Sequence, residues 1–127
     1  MVKVCILFGR PQDEDTFGRE YLLLVELARG MPRLERLESS RLLGGPANQP
    51  YTERLGGAEI VVQPLGSVAV AEGLHYQMLE LWFASEADRL KAMHSGDGAR
   101  FAQEVTRIAT GGADIMLMET EAIPLAH

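Results

Sequence analysis

Glu80, Tyr21 and His75 are the side chains whose types and settings allow acid–base chemistry. Glu80 stands in the run His75 to Phe83, whose alternation puts it between Met78 and Trp82 on one face, with Tyr76 on the same face. Gln77, Leu79, Leu81 and Phe83 fall on the other. A carboxylate on an apolar face is costly unless it is paired. Glu80 is therefore either a candidate general base or half of an ion pair with an arginine such as Arg36 or Arg41. Tyr21 lies on the helical stripe Phe17, Tyr21, Leu24, Val25 and Ala28, which Leu23 and Leu27 widen to about half the circumference. Its hydroxyl ends in an apolar layer and needs a partner, either a ligand carbonyl or a backbone carbonyl. His75 heads its strand beside an insert, where it serves as an acid–base group titrating near neutrality or as a solvated strand-end residue.

Other reactive types read as structural. Cys5, inside Val4 to Leu7, is a small buried hydrophobe, and a nucleophile needs an adjacent base in an electropositive setting. As the single cysteine it excludes an intrachain disulfide and any multi-cysteine metal site. His75, His94 and His127 show no paired-ligand spacing, and Asp13, Glu14 and Asp15 look like a helix cap, so neither metal nor cofactor is expected. Gly96-Asp97-Gly98 is followed by Phe101 where a dinucleotide fingerprint needs glycine.

Composition narrows the classes further. The 127 residues carry 12 basic and 18 acidic side chains, a net charge of −6, with 46% hydrophobic and 24% charged residues. Those values fit one compact domain over 1–127 and not a disordered chain. Scattered bases on an acidic chain argue against nucleic-acid binding. No signal-peptide core or apolar run long enough for a membrane span is visible, so a cytoplasmic protein is the default expectation.

The positioning elements follow from apolar periodicity and stop signals. Val2 to Phe8 is a strand, Asp13 to Asp15 start a helix that Gly30 and Pro32 end, and Leu34 to Leu43 is a second strand. His75 to Phe83 is a third strand. Ser85 caps a short helix through Met93, Asp97 caps another carrying Phe101, Val105 and Ile108, and Ala113 to Glu121 is the last strand. The order β-α-β-β-α-β is the split βαβ, or ferredoxin-like, α+β plan. Gly44 to Gly73 exceeds that plan. Its apolar stretches Ile60–Val62 and Val68–Val70 predict an extra hairpin or arm at about 58–72, preceded by a polar loop containing Tyr51, Glu53 and Arg54. Right-handed crossovers put both helical layers on one side of the sheet. The other face, with Met78, Trp82, Met116 and Met118, is then an open apolar patch, and a second copy packed sheet against sheet is its simplest cover.

Several local runs point the same way. Phe17 and Tyr21, Ala28-Arg29-Gly30-Met31-Pro32, Ser40 through Pro46, Glu80-Leu81-Trp82-Phe83 and Ala109-Thr110-Gly111-Gly112 together resemble the EthD family. The resemblance covers about 1–46 and 75–121. It implies ferredoxin-like subunits forming a dimeric α+β barrel, an architecture that hosts cofactor-free monooxygenases, isomerases, dehydratases and haem enzymes. The sequence departs from the family where a histidine usually stands about two turns after the tyrosine; Leu24, Val25 and Leu27 occupy that stretch. Two functions follow: a cofactor-free enzyme of oxidoreductase, isomerase or lyase type acting on a small apolar or aromatic molecule between helices and sheet, or a non-catalytic binding or accessory homodimer.

Overall fold

The computed structural model describes residues 1–42, 51–55, 57–62 and 76–126. In chain order the elements are β1 (Val2–Phe8), α1 (Glu14–Arg29), β2 (Leu34–Arg41), β3 (Tyr51–Leu55), β4 (Ala58–Val62), β5 (Gln77–Phe83), α2 (Glu86–Met93), α3 (Gly96–Ile108) and β6 (Ala113–Glu119). β2, β5, β1 and β6 form one antiparallel sheet in that order. This is the α+β split βαβ arrangement, with two helices in the second crossover and a separate β3–β4 ladder that falls between β2 and β5 in chain order only.

Side-chain oxygens start each helix. Asp13 accepts from the Thr16 amide at 3.0 Å, Ser85 from Asp88 at 3.1 Å and Ser95 from Gly98 at 3.0 Å. Each satisfies an amide that has no intrahelical partner. The expected cap Asp97 is instead inside α3, because Ser95 occupies the extended position and also closes on the Ala92 carbonyl at 2.6 Å. Gly98 is obligatory at this corner: a Cβ there would lie 2.0 Å from the Ala92 carbonyl oxygen.

The core lies between the helices and one face of the sheet. Val2, Val4, Ile6 and Phe8 from β1 and Leu79, Leu81 and Phe83 from β5 pack on Phe17, Leu24 and Ala28 of α1 and on Phe101, Val105 and Ile108 of α3. Leu27 is half-buried, but Leu23 is exposed, so the buried arc of α1 is narrower than its apolar arc.

Three further sequence expectations need correcting. The extra hairpin exists but pairs Tyr51–Leu55 with Ala58–Val62, so the supposed polar loop contributes its first strand. Gly57, at φ 82°, supplies the left-handed turn residue. The 63–72 half of the expected arm lies outside the described residues. Second, β6 is solvated on both faces: Ile115, Leu117 and Met116 are 63%, 50% and 42% exposed. As an edge strand it has a sheet neighbour on one side only. Third, the face opposite the helices is not a broad bare patch. Trp82 is only 8% exposed, with Lys3 Nζ 5.2 Å and the Arg36 guanidinium 4.7 Å from its ring centre, and Met78 and Met118 are half-buried. Cations over an indole gain from its quadrupole while their stems cover its surface.

Candidate functional site

Where β2 ends and β5 begins, the core opens into a pocket of about 660 Å³ against the first turns of α1. Its aromatic wall comes from Phe17 and Tyr21 on α1 and from Tyr76 just before β5. The helix places Phe17 and Tyr21 one turn apart, with their rings stacked at 5.6 Å and an interplanar angle of 20°. Phe8 closes the inner side edge-on, 5.3 Å from Phe17 and 6.0 Å from Tyr21. Strand alternation predicts Tyr76 on the face of Met78, and the structure corrects this: Tyr76 precedes β5, so its side chain is not bound to the strand's alternation. Its ring meets Phe17 edge-on at 5.7 Å on the helical side.

A polar row crosses this apolar wall. Tyr21 Oη and Ser39 Oγ share a hydrogen bond of 2.6 Å, and Gln77 Nε2 donates to Ser39 Oγ and to the Ser40 carbonyl, each at 3.0 Å. A carbonyl only accepts, so the Ser40 contact fixes which end of the Gln77 amide is nitrogen. Burial raises the Tyr21 phenol above its ordinary value, and the bonds to Ser39 and Gln77 offset part of that rise. Tyr21 therefore remains a protonated phenol through neutral pH. Arg41, the last residue of β2, faces Gln77 in register and donates to Tyr76 Oη at 3.3 Å.

Glu80 lies on the opposite face of the sheet. It is 8% exposed and accepts from Lys3 Nζ at 2.8 Å. Its partner is thus Lys3 on the neighbouring β1 strand, while Arg36 pairs with Glu38 and Arg41 points to Tyr76. Cys5 lies beside Glu80 in register, and its thiol is held above the ordinary range by burial first and by the Glu80 charge second. Tyr21 and Glu80 are therefore separated by the sheet, and His75 lies outside the described residues. Among the described residues no three His, Cys, Asp or Glu side chains converge as metal ligands.

The sequence reading did not single out Ser39, Gln77, Arg41 and Tyr76 as a site. A signal was available in Gln77, the polar first member of the otherwise apolar face Leu79, Leu81 and Phe83. Its proximity to Ser39 and Tyr21 depends on β2–β5 register, which periodicity does not encode.

The fold and pocket define a ferredoxin-like α+β protein with an aromatic cavity between its first helix and its sheet. No protein-family model and no curated protein matches the sequence. Solved structures match its backbone. An ethyl tert-butyl ether degradation (EthD) family protein from Bacillus halodurans C-125 superposes with a TM-score of 0.70 at 20% identity, over 95% of this chain and 99% of that one. SnoaB, a cofactor-independent oxygenase from Streptomyces nogalater, matches with a TM-score of 0.58 at 9% identity, over 96% and 94%. A dimeric ferredoxin-like protein of unknown function from Thermobifida fusca YX matches with a TM-score of 0.58 at 12% identity, over 94% and 92%. The fold is shared with all three. No helix among the described residues is long and apolar enough to cross a membrane.

Proposed function

We propose that this chain is an EthD-like small-molecule-binding protein that acts as a homodimer and holds a small aromatic or apolar molecule in the Phe17–Tyr21–Tyr76 pocket. The observation that carries this reading is the Tyr21 hydroxyl, fixed by Ser39 at 2.6 Å at a pocket of ligand size whose lining sets Phe17, Leu22 and Tyr76 beside charged side chains. Either hydroxyl can donate in that bond; Ser39 Oγ accepts from Gln77 and has its own proton to give to Tyr21 when a ligand takes the phenol proton. With Ser39 as the donor, the phenol proton is free to meet an oxygen on the ligand.

Dimerisation is supported by the exposed apolar residues of the β6 edge and by Ile123 and Leu125 in the segment after it. The likeness to a dimeric ferredoxin-like protein points the same way. A catalytic form of the same reading draws on the fold shared with the cofactor-independent oxygenase SnoaB. In it Tyr21 is the proton donor at the pocket, whereas Glu80 serves only a substrate bound on the opposite sheet face.

Titration of the full chain with 2-naphthol, followed by amide NMR shifts, tests the pocket. Shifts centred on Tyr21, Ser39, Tyr76 and Gln77 are expected, and Tyr21→Phe should weaken binding about fivefold to tenfold, the worth of one hydrogen bond. Shifts confined to the Lys3–Glu80–Trp82 face would move the site to the other side of the sheet.

A further inference from the structure

We propose that the ligand of this pocket is an aromatic carboxylate, with Arg41 as the residue that binds its charged group. The proposal rests on the reading of the Phe17–Tyr21–Tyr76 cavity as a small-molecule site.

Most arginines elsewhere among the described residues sit against carboxylates, as Arg10 does on Glu14 at 2.6 Å, Arg33 on Asp88 at 3.0 Å and Arg107 on Glu20 at 2.8 Å, with Arg100 on α3 the exception. The two that line the pocket differ. Among the described residues neither Arg19 nor Arg41 has a carboxylate within 4.0 Å. The only described hydrogen-bond partner of the Arg41 side chain is the Tyr76 hydroxyl at 3.3 Å, which leaves most of its planar fork of donors unused. That fork matches a carboxylate with two parallel bonds.

The surrounding chemistry favours the same ligand. Tyr21 adds a phenol donor, and the half-buried Tyr76 ring gives an aromatic body a face to lie on, with only the edges of Phe17 and Tyr21, 4% and 7% exposed, behind it. The two carboxylates of the lining, Glu14 and Asp15, belong to the first turn of α1, and Arg10 already neutralises Glu14. Arg10 also lies 5.5 Å from the Tyr76 ring centre and Arg41 5.8 Å, so the positive charge gathers around that tyrosine. A planar anion meets donors and rings together there.

The test compares 2-naphthoate with 2-naphthol, by calorimetry on the full chain at neutral pH, in the native protein and in Arg41→Gln. Naphthoate is expected to bind about tenfold tighter than naphthol, with an advantage that shrinks at high salt because screening weakens an open ion pair. Arg41→Gln should abolish that advantage and keep naphthol binding, while Arg29→Gln, at the far end of α1, should change neither. Equal binding of the two ligands, or a preference that survives Arg41→Gln, overturns the carboxylate assignment and leaves the pocket standing. If neither ligand binds, the pocket and the assignment fall together.

Discussion

Tyr21 joins the helix to the sheet through one hydroxyl, and the two states of that hydroxyl predict different behaviour. Removing it in Tyr21→Phe keeps the stacked and edge-on ring contacts and loses the Ser39 bond. Because Ser39 is solvent-exposed, its freed hydroxyl finds water, so the cost should stay near the lower end of about 0.5–1.5 kcal/mol in urea unfolding. Ionisation works separately. Burial raises the Tyr21 phenol in the folded state above its ordinary value of about 10, so the unfolded chain releases that proton first. Its stabilising contribution is complete below about pH 10 and is lost as pH rises through the folded value. Cys5, also raised, contributes a loss of the same sign that begins near pH 8.5. On a Cys5→Ala background, stability should therefore fall as pH rises above about 10 with Tyr21 present and fall less with Tyr21→Phe. Parallel curves for the two proteins would show that the phenol is not desolvated in the folded state.

Helices α2 and α3 meet at a corner only two residues long, and glycine lets them approach. The nearest atoms to a Cβ at Gly98 would be the Ala92 carbonyl oxygen at 2.0 Å and Met93 Cα at 2.7 Å, all main chain that cannot rotate away. Gly98→Ala should therefore destabilise the fold by at least about 1–3 kcal/mol in thermal or urea unfolding. Gly18, in the middle of α1, faces open space. Gly18→Ala should stabilise by about 0.5–1 kcal/mol, since alanine loses less backbone entropy in a helix. Opposite signs for one chemical change separate close approach from propensity. If Gly98→Ala proved neutral, the corner would have to be looser than its geometry indicates.

An antiparallel sheet covered by helices on one side leaves a second face and two edges to be managed. Lys3, Arg36 and Glu80 manage part of that face here, by covering Trp82 and pairing across strands. The larger exposed apolar surface is shifted toward β6 and the segment carrying Ile123 and Leu125. An apolar edge with unpaired backbone groups is a template for pairing with another chain. Light scattering during gel filtration should accordingly give twice the 14.0 kDa chain mass at micromolar concentration. Leu117→Lys should shift the protein toward a monomer with its circular dichroism unchanged, because Leu117 is half exposed and its loss leaves no core cavity. A native protein that stays monomeric and folded at that concentration defeats the dimer proposal.

Element types and their order were legible in the sequence, because they rest on short-range physics. The period of Phe17, Tyr21, Leu24 and Ala28, the alternation of Gln77 to Phe83 and the caps at Asp13 and Ser85 each involve residues within a turn or two of each other. The hairpin was legible only in part, since apolar stretches mark strands less sharply than the φ 82° turn at Gly57 that joins them. Which polar residues meet was not legible. Glu80 and Lys3 are 77 positions apart, Gln77 and Ser39 38 positions apart, and both meetings depend on register across strands that are not consecutive in the chain. A one-residue slip would send every side chain of a strand to the other face. Packing of whole elements decided that register, and with it placed Tyr21 at a pocket and Glu80 behind the sheet.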